Sequence, residues 1–317
     1  MLFAFFVAKC ITWKASGKIS KKVLRGQKMS KYVIKGINEA DGESDLALER
    51  RRVDTDIPGV EYRRDFGCIG SWEKIRIGSE EGARSIGRPM GHYDTLTLPR
   101  MDMLDVDECE DAREEVAKEL CRMCDRLSAV PDRILVVGLG NSALTPDAIG
   151  PESAARVAAT MHLVKSDPSL FVSLECSEIC VISPGVGTVS GIETADFVRG
   201  IAEVVRPSIV IAVDALAARS PARLGTTIQI CDTGIHPGSG MRRSKGALSR
   251  DTLGAPVIAI GVPTVINSRM FHSGGGEVRA VKPNEEMFVA PTEISSIVSS
   301  AAGIIAGGIN QAFGITL

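Results

Sequence analysis

The chain has 317 residues, 37 Lys and Arg against 39 Asp and Glu for a net charge of −2, and 44% hydrophobic content. At about 150 residues per domain this predicts one large domain or two with a packed core, and excludes a disordered tail. The balanced charge excludes a general attraction to polyanions, so no direct nucleic acid partner is expected, and 32 glycines with only 4% aromatic residues point to an α/β enzyme rather than an aromatic stacking platform.

At the start of the chain, Leu2–Ala8 is apolar but short, and the basic residues Lys9, Lys14, Lys18, Lys21 and Lys22 follow it, the wrong order for a secretory signal. A second methionine, Met29, precedes a more ordinary stretch, so residues 1–28 are expected to lie outside the fold. Residues 45–100 carry short alternating pieces, among them Trp72–Ile77 and Tyr93–Leu98, and predict an added β-rich region. Asp107–Leu127 has helical periodicity, and Cys121-x-x-Cys124 within it lacks the second ligand pair of a zinc site. All eight cysteines read as thiols of a reducing compartment.

From there the pattern alternates as βα units do. Ile134–Val137 is a buried strand, and a helix begins near Pro151; Glu178–Ile182, Ile209–Val213, Thr226–Cys231 and Val257–Gly261 are further strands, with a helix over Thr194–Val205. The uncharged tail from Ile294 to Leu317 holds Gly303-x-x-x-Gly307, a spacing met in membrane helices, but its recurrent Ser, Asn and Gln residues predict a helix packed on the core or on another subunit. The least costly assembly is a three-layer α/β/α domain with a mostly parallel, doubly wound sheet, to which the β-rich N-terminal region is added.

Chemistry is expected where the strands end. Gly138-x-Gly140-x-x-Ala143 has dinucleotide-fingerprint spacing, but Pro146 and Pro151 keep the chain irregular where a Rossmann helix would start, so no nucleotide cofactor is expected. The same loop presents Asp147, and the apolar strand Ile209–Val213 runs into Asp214. Two carboxylates at the carboxyl ends of neighbouring strands can share a pocket, where burial and like charge push their pKa values apart and let one hold a proton while the other acts as base on a water. Each can also be read as a turn or capping residue, Asp214 further as an ion-pair partner of Arg219. A third loop, Asp232-Thr-Gly-Ile-His236-Pro-Gly-Ser239-Gly240, offers glycines and Ser239 for close approach to a peptide, and His236 as a third ligand should the acids hold a metal.

These segments together resemble the germination protease family of spore endopeptidases. The resemblance is carried by Val136-Val-Gly-Leu-Gly-Asn141, Thr145-Pro-Asp-Ala-Ile-Gly-Pro151, Pro184-Gly-Val186, Gly191-Ile-Glu-Thr194, Ala212-Val-Asp-Ala-Leu-Ala-Ala-Arg-Ser220, Asp232–Gly240 and Pro256-Val-Ile-Ala-Ile-Gly-Val-Pro-Thr264. It implies a phosphorylase/hydrolase-like fold shared with hydrogenase-maturation endopeptidases, with Asp147 and Asp214 as the catalytic pair. Substrate contacts are then expected at Asn141, Arg219, His236 and Ser239, with no metal or cofactor. The substrates implied are small acid-soluble spore proteins, cut after glutamate, in a cytoplasmic setting (forespore or spore core), by a homotetramer with no membrane partner.

Ser44-Asp-Leu-Ala-Leu-Glu49 resembles the family's processing site, which implies a zymogen cleaved between Glu43 and Ser44, residues 1–43 as extension and propeptide, and residues 44–317 as one catalytic domain. The chain departs from the family at Met241–Gly246, at Asn267 and in the short stretch from Ser268 to Glu286. Two other readings stay open: a metal-sensing maturation endopeptidase using the same acids and His236, and a non-catalytic ligand-binding module.

Overall fold

The computed structural model describes residues 44–50, 57–236, 246–267 and 288–315. Among the described residues nine strands form one sheet: β1 (Val60–Phe66), β2 (Ser71–Ile77), β3 (Gly91–Thr97), β4 (Arg133–Gly138), β5 (Glu178–Ile182), β6 (Ile209–Ala218), β7 (Thr227–Cys231), β8 (Val257–Asn267) and the two-residue β9 (Phe288–Val289). Their order is β1-β2-β3-β7-β8-β6-β4-β5, with β9 paired to β8. Strands β5, β4, β6 and β8 are mutually parallel. They are continuous apolar runs because helices cover both faces. Ile134, Val136, Ile209, Ile211, Val213, Ile258 and Ile260 face α2 (Val106–Arg126) and α5 (Ile294–Ala312), while Leu135, Val137, Val210 and Ala212 face α4 (Thr194–Val205). The three-layer α/β/α arrangement follows from this alternation.

The β-rich N-terminal region continues this same sheet. Strand β7 runs antiparallel to β8, and β3, β2 and β1 extend it as an antiparallel meander, so the sheet is mixed and its parallel part is confined to four strands. Between β1 and β2 a short turn closes with Gly67 N donating to Gly70 O at 2.9 Å, whereas α1 (Glu80–Ile86) connects β2 to β3. The meander is tied to α2 by buried charge. Lys74 of β2 and Arg126 of α2 both reach Asp94 of β3 and Glu119 of α2, whose side chains are 2% and 0% exposed. Burial, with Asp94 beside it, raises the pKa of Glu119.

Helix α2 begins with a capping box, in which Glu108 N donates to Asp105 Oδ1 and Asp105 N to Glu108 Oε2. Cys124 lies in the core and Cys121 Sγ approaches the carbonyl of Ala312 on α5, so the two cysteines pack the helix pair. Helix α5 is a core helix. Cβ atoms at Gly307 and Gly308 would each lie 2.5 Å from α2, against Arg113 and Val116, whereas Gly303 has open space around it, so the close approach is made at Gly307 and Gly308 and not at Gly303. Among the described residues no helix is long and apolar enough to cross a membrane.

Candidate active site

The sequence reading ends the third parallel strand at Val213 and places Asp214 beyond it. The structure corrects this: β6 runs to Ala218, so Asp214 lies inside the strand and is 6% exposed. Strand β8 is also longer than its apolar run implies, and it keeps β6 extended through Ile266, with a register shift at Leu216/Ala217 opposite Pro263. Proline has no N–H to give the ladder, and a bulge accommodates it. On the other side, β4 stops at Gly138 opposite Val213, and Leu139 N makes the next bond, to Val213 O at 2.8 Å. Asp214 is therefore the first residue of β6 beyond its neighbour, which restores the strand-end location by a different route. Its Oδ1 accepts from Ala215 N at 2.9 Å.

The chain that leaves β4 supplies Asp147. It crosses an irregular loop, makes a 3₁₀ turn at Thr145–Asp147 that lies against β6 and β8, and then enters α3 (Ile149–Ala154). Gly140 has φ 113°, and a Cβ there would come within 2.1 Å of the Asp147 carbonyl oxygen, so only glycine lets the loop fold back. Asn141 N then reaches the Asp147 carboxylate at 2.9 Å and its carbonyl at 3.1 Å, and Asn141 Oδ1 accepts from Ala143 N. The described bonds of Asn141 thus hold Asp147 and shape the loop. Asp147 is half-buried, and burial raises its pKa above the ordinary 3.8, against the opposing hydrogen bond from Asn141.

A group whose folded-state pKa is raised binds its proton more tightly when folded. Its contribution to stability is complete below the unfolded value and lost as pH rises through the folded one. At neutral pH the ionised Asp147 therefore costs stability. Asp147→Asn, which keeps an acceptor for Asn141 N–H without the charge, is expected to raise the melting temperature at pH 7, with the gain disappearing toward pH 3. A lower melting temperature at pH 7 would contradict this account of the site.

The turn that carries Asp147 lies against β6, the strand that carries Asp214, and the seam between β4 and α3 is closely packed. Cβ atoms at Gly138 or Gly150 would meet backbone atoms at 2.2 Å and 2.1 Å. The other predicted residues are more dispersed. Arg219 follows β6 directly, and its N–H is held by Glu49 at 2.6 Å. Because β7 is antiparallel, the loop after it leaves from the end of the sheet opposite to Asp214, and His236 follows the Ile235↔Leu248 bridge that packs on the α4 face. Ser239 and Glu43 lie outside the described residues, as do the basic residues at 242–245. Ser44 is fully buried, and its hydroxyl donates to Glu49 at 2.6 Å.

Among the described residues no cluster of three or more His, Cys, Asp or Glu side chains has metal-holding geometry. A cavity of about 640 Å³ lined by Trp72, Lys74, Glu115, Arg122 and Arg126, among others, lies between the β1–β2 hairpin and α2 and contains none of the predicted site residues. Sequence reasoning missed the part Gly150 plays in packing the seam, and the contacts of Asp45 with β6 and of Glu49 with the residues just after it.

The sequence model of the germination protease family matches residues 44–275, a span that includes both aspartates. The chain belongs to the germination protease family. It is 44% identical to the germination protease of Priestia megaterium over 231 residues, covering 71% of this chain and 61% of that protein. It is 39% identical to that of Bacillus subtilis over 244 residues (76% and 65%), and 32% identical to that of Clostridium perfringens strain ATCC 13124 over 314 residues (85% and 94%). Among solved structures, a nickel–iron hydrogenase maturation protease from Thermococcus kodakarensis overlaps with a TM-score of 0.35 at 19% identity, over 61% of this chain and 99% of that one. Membership makes the chain a peptidase.

Proposed function

We propose that this peptidase is an aspartate-pair endopeptidase that begins the degradation of small acid-soluble spore proteins during germination. The reading is supported by Asp214 being the first residue of β6 beyond β4 and by the turn that carries Asp147 lying against β6, both within the span matched by the family. Asp147 and Asp214 work as a pair, one taking a proton from the attacking water and the other giving a proton to the leaving amine. Asn141, which holds Asp147, and Arg219, which follows β6, contact the substrate chain. The enzyme is made as a zymogen that cleaves itself between Glu43 and Ser44, acts as a homotetramer in the cytoplasm of the forespore or spore core, and uses no metal.

The test is cleavage of an unfolded small acid-soluble spore protein by the chain trimmed to begin at Ser44, with and without chelator, the products sequenced by mass spectrometry. Chelator-resistant cleavage after glutamate is the expected result. Chelator-sensitive cleavage would move the assignment to a metal-dependent maturation endopeptidase, and no cleavage to a non-catalytic module.

A further inference from the structure

Strand β6 continues for four residues past Asp214, and its edge on the β4 side needs new partners there. Alternate residues of a strand turn their N–H and C=O toward the same neighbour. Val213 faces β4 through its bond from Leu139, so Ala215 and Ala217 present their polar groups to the vacated side. Ala215 N–H is taken by Asp214 Oδ1. The next groups are taken by the segment Ser44–Glu49. Asp45 N donates to Ala217 O at 2.9 Å, and Ala217 N donates to Asp45 Oδ2 at 2.9 Å. The consecutive amides of Arg219 and Ser220 donate to the two carboxylate oxygens of Glu49 at 2.6 Å and 2.9 Å.

The segment is built into the fold. Leu46 is 0% exposed among Leu216, Ala218 and Ile266. Ala47 N donates to Gln229 Oε1 at 2.9 Å, and Arg88 donates to the carbonyl of Ser44 at 2.8 Å. Gln229 in turn pairs with Gly261, the residue of β8 opposite Asp214. The six residues thus stand in for the missing strand, and they grip β6 from three residues after Asp214 onward.

We propose that Asp45 and Glu49 are positioning residues of the peptidase: by completing the edge of β6 that β4 abandons, they fix the Asp214–Ala215 peptide and with it the direction of the Asp214 carboxylate. The proposal rests on the reading of Asp214 as a catalytic group. It gives residues 44–49 a role in the working enzyme, separate from any role of the segment before them.

The experiment measures kcat, KM and the pH dependence of kcat for the chain trimmed to begin at Ser44 and for its Asp45→Ala, Glu49→Ala, Glu49→Gln and Asp214→Asn variants, with an unfolded small acid-soluble spore protein as substrate and circular dichroism as the check on folding. A displaced catalytic group costs kcat more than binding, so Glu49→Ala and Asp45→Ala are expected to lower kcat by about 10- to 100-fold with KM within about twofold, and to move the pH profile. Glu49→Gln keeps one acceptor oxygen and is expected to fall between Glu49→Ala and the unaltered chain, about fivefold down in kcat. If the alanine variants do not fold, Glu49→Gln decides by the same two readouts. An unchanged kcat and pH profile in folded Glu49→Gln and Glu49→Ala, alongside an inactive Asp214→Asn, would overturn the positioning role alone. An active Asp214→Asn would overturn the aspartate reading and the positioning role with it.

Discussion

Asp147→Asn and Asp214→Asn are each expected to lower kcat by about 10³-fold or more while the chain stays folded. Asparagine keeps the shape of each side chain and one acceptor oxygen, so the hydrogen bonds from Asn141 N and Ala215 N can persist. What is lost is the ability to give or take a proton. General acid and general base catalysis each contribute about 10²- to 10⁴-fold, and peptide hydrolysis needs both because water must be deprotonated and a poor amine leaving group protonated. Initial rates, compared with thermal melts of the same preparations, separate this from unfolding. A variant that melts normally and cuts within tenfold of the unaltered rate would remove its aspartate from the mechanism.

Gly150→Ala is expected to cost about 3 kcal/mol or more in stability and at least about 10²-fold in activity. The added Cβ would lie 2.1 Å from Leu139 O, 2.4 Å from Leu139 N and 2.5 Å from Val213 O. All three are backbone atoms, and two of them make the Leu139 N to Val213 O bond that ends the β4–β6 ladder. No side chain can rotate away, so α3 must lift off the seam. Asp147 lies three residues before Gly150 and Asp214 one residue after Val213, so the lift moves the two acids relative to each other. Urea denaturation and initial rates of Gly150→Ala report both effects. A stability loss under about 1 kcal/mol would mean that the seam is looser than these distances state.

The parallel core was legible because its signals are local and strong. Glu178–Ile182 and Thr194–Val205 match the observed elements residue for residue, since each is a continuous apolar or amphipathic run with clear boundaries. Strands β6 and β8 were read short because their second halves contain Asp214 and Pro263, which weaken any strand signal. Pairing between the two strands maintains them there, and that is tertiary information. The direction of β7, and with it the antiparallel attachment of β1–β3, depends on loop paths that periodicity does not encode.

At the site, the identity of the two aspartates came from strand-end position and family resemblance, whereas their setting came from elsewhere. The segment Ser44–Glu49 was legible only as a processing motif, because its partners Ala217, Arg219, Ser220 and Gln229 lie more than 160 residues away in the chain.

The most direct test of the central claim compares Asp147→Asn, Asp214→Asn and the double variant in one series of initial rates. Groups that act on one reaction step as a unit are not additive. If the two carboxylates serve one water and one scissile bond, the double variant cuts no more than about threefold more slowly than the slower single variant. A double variant slowed by the product of the two single losses would mean that Asp147 and Asp214 act independently, and would contradict the paired site.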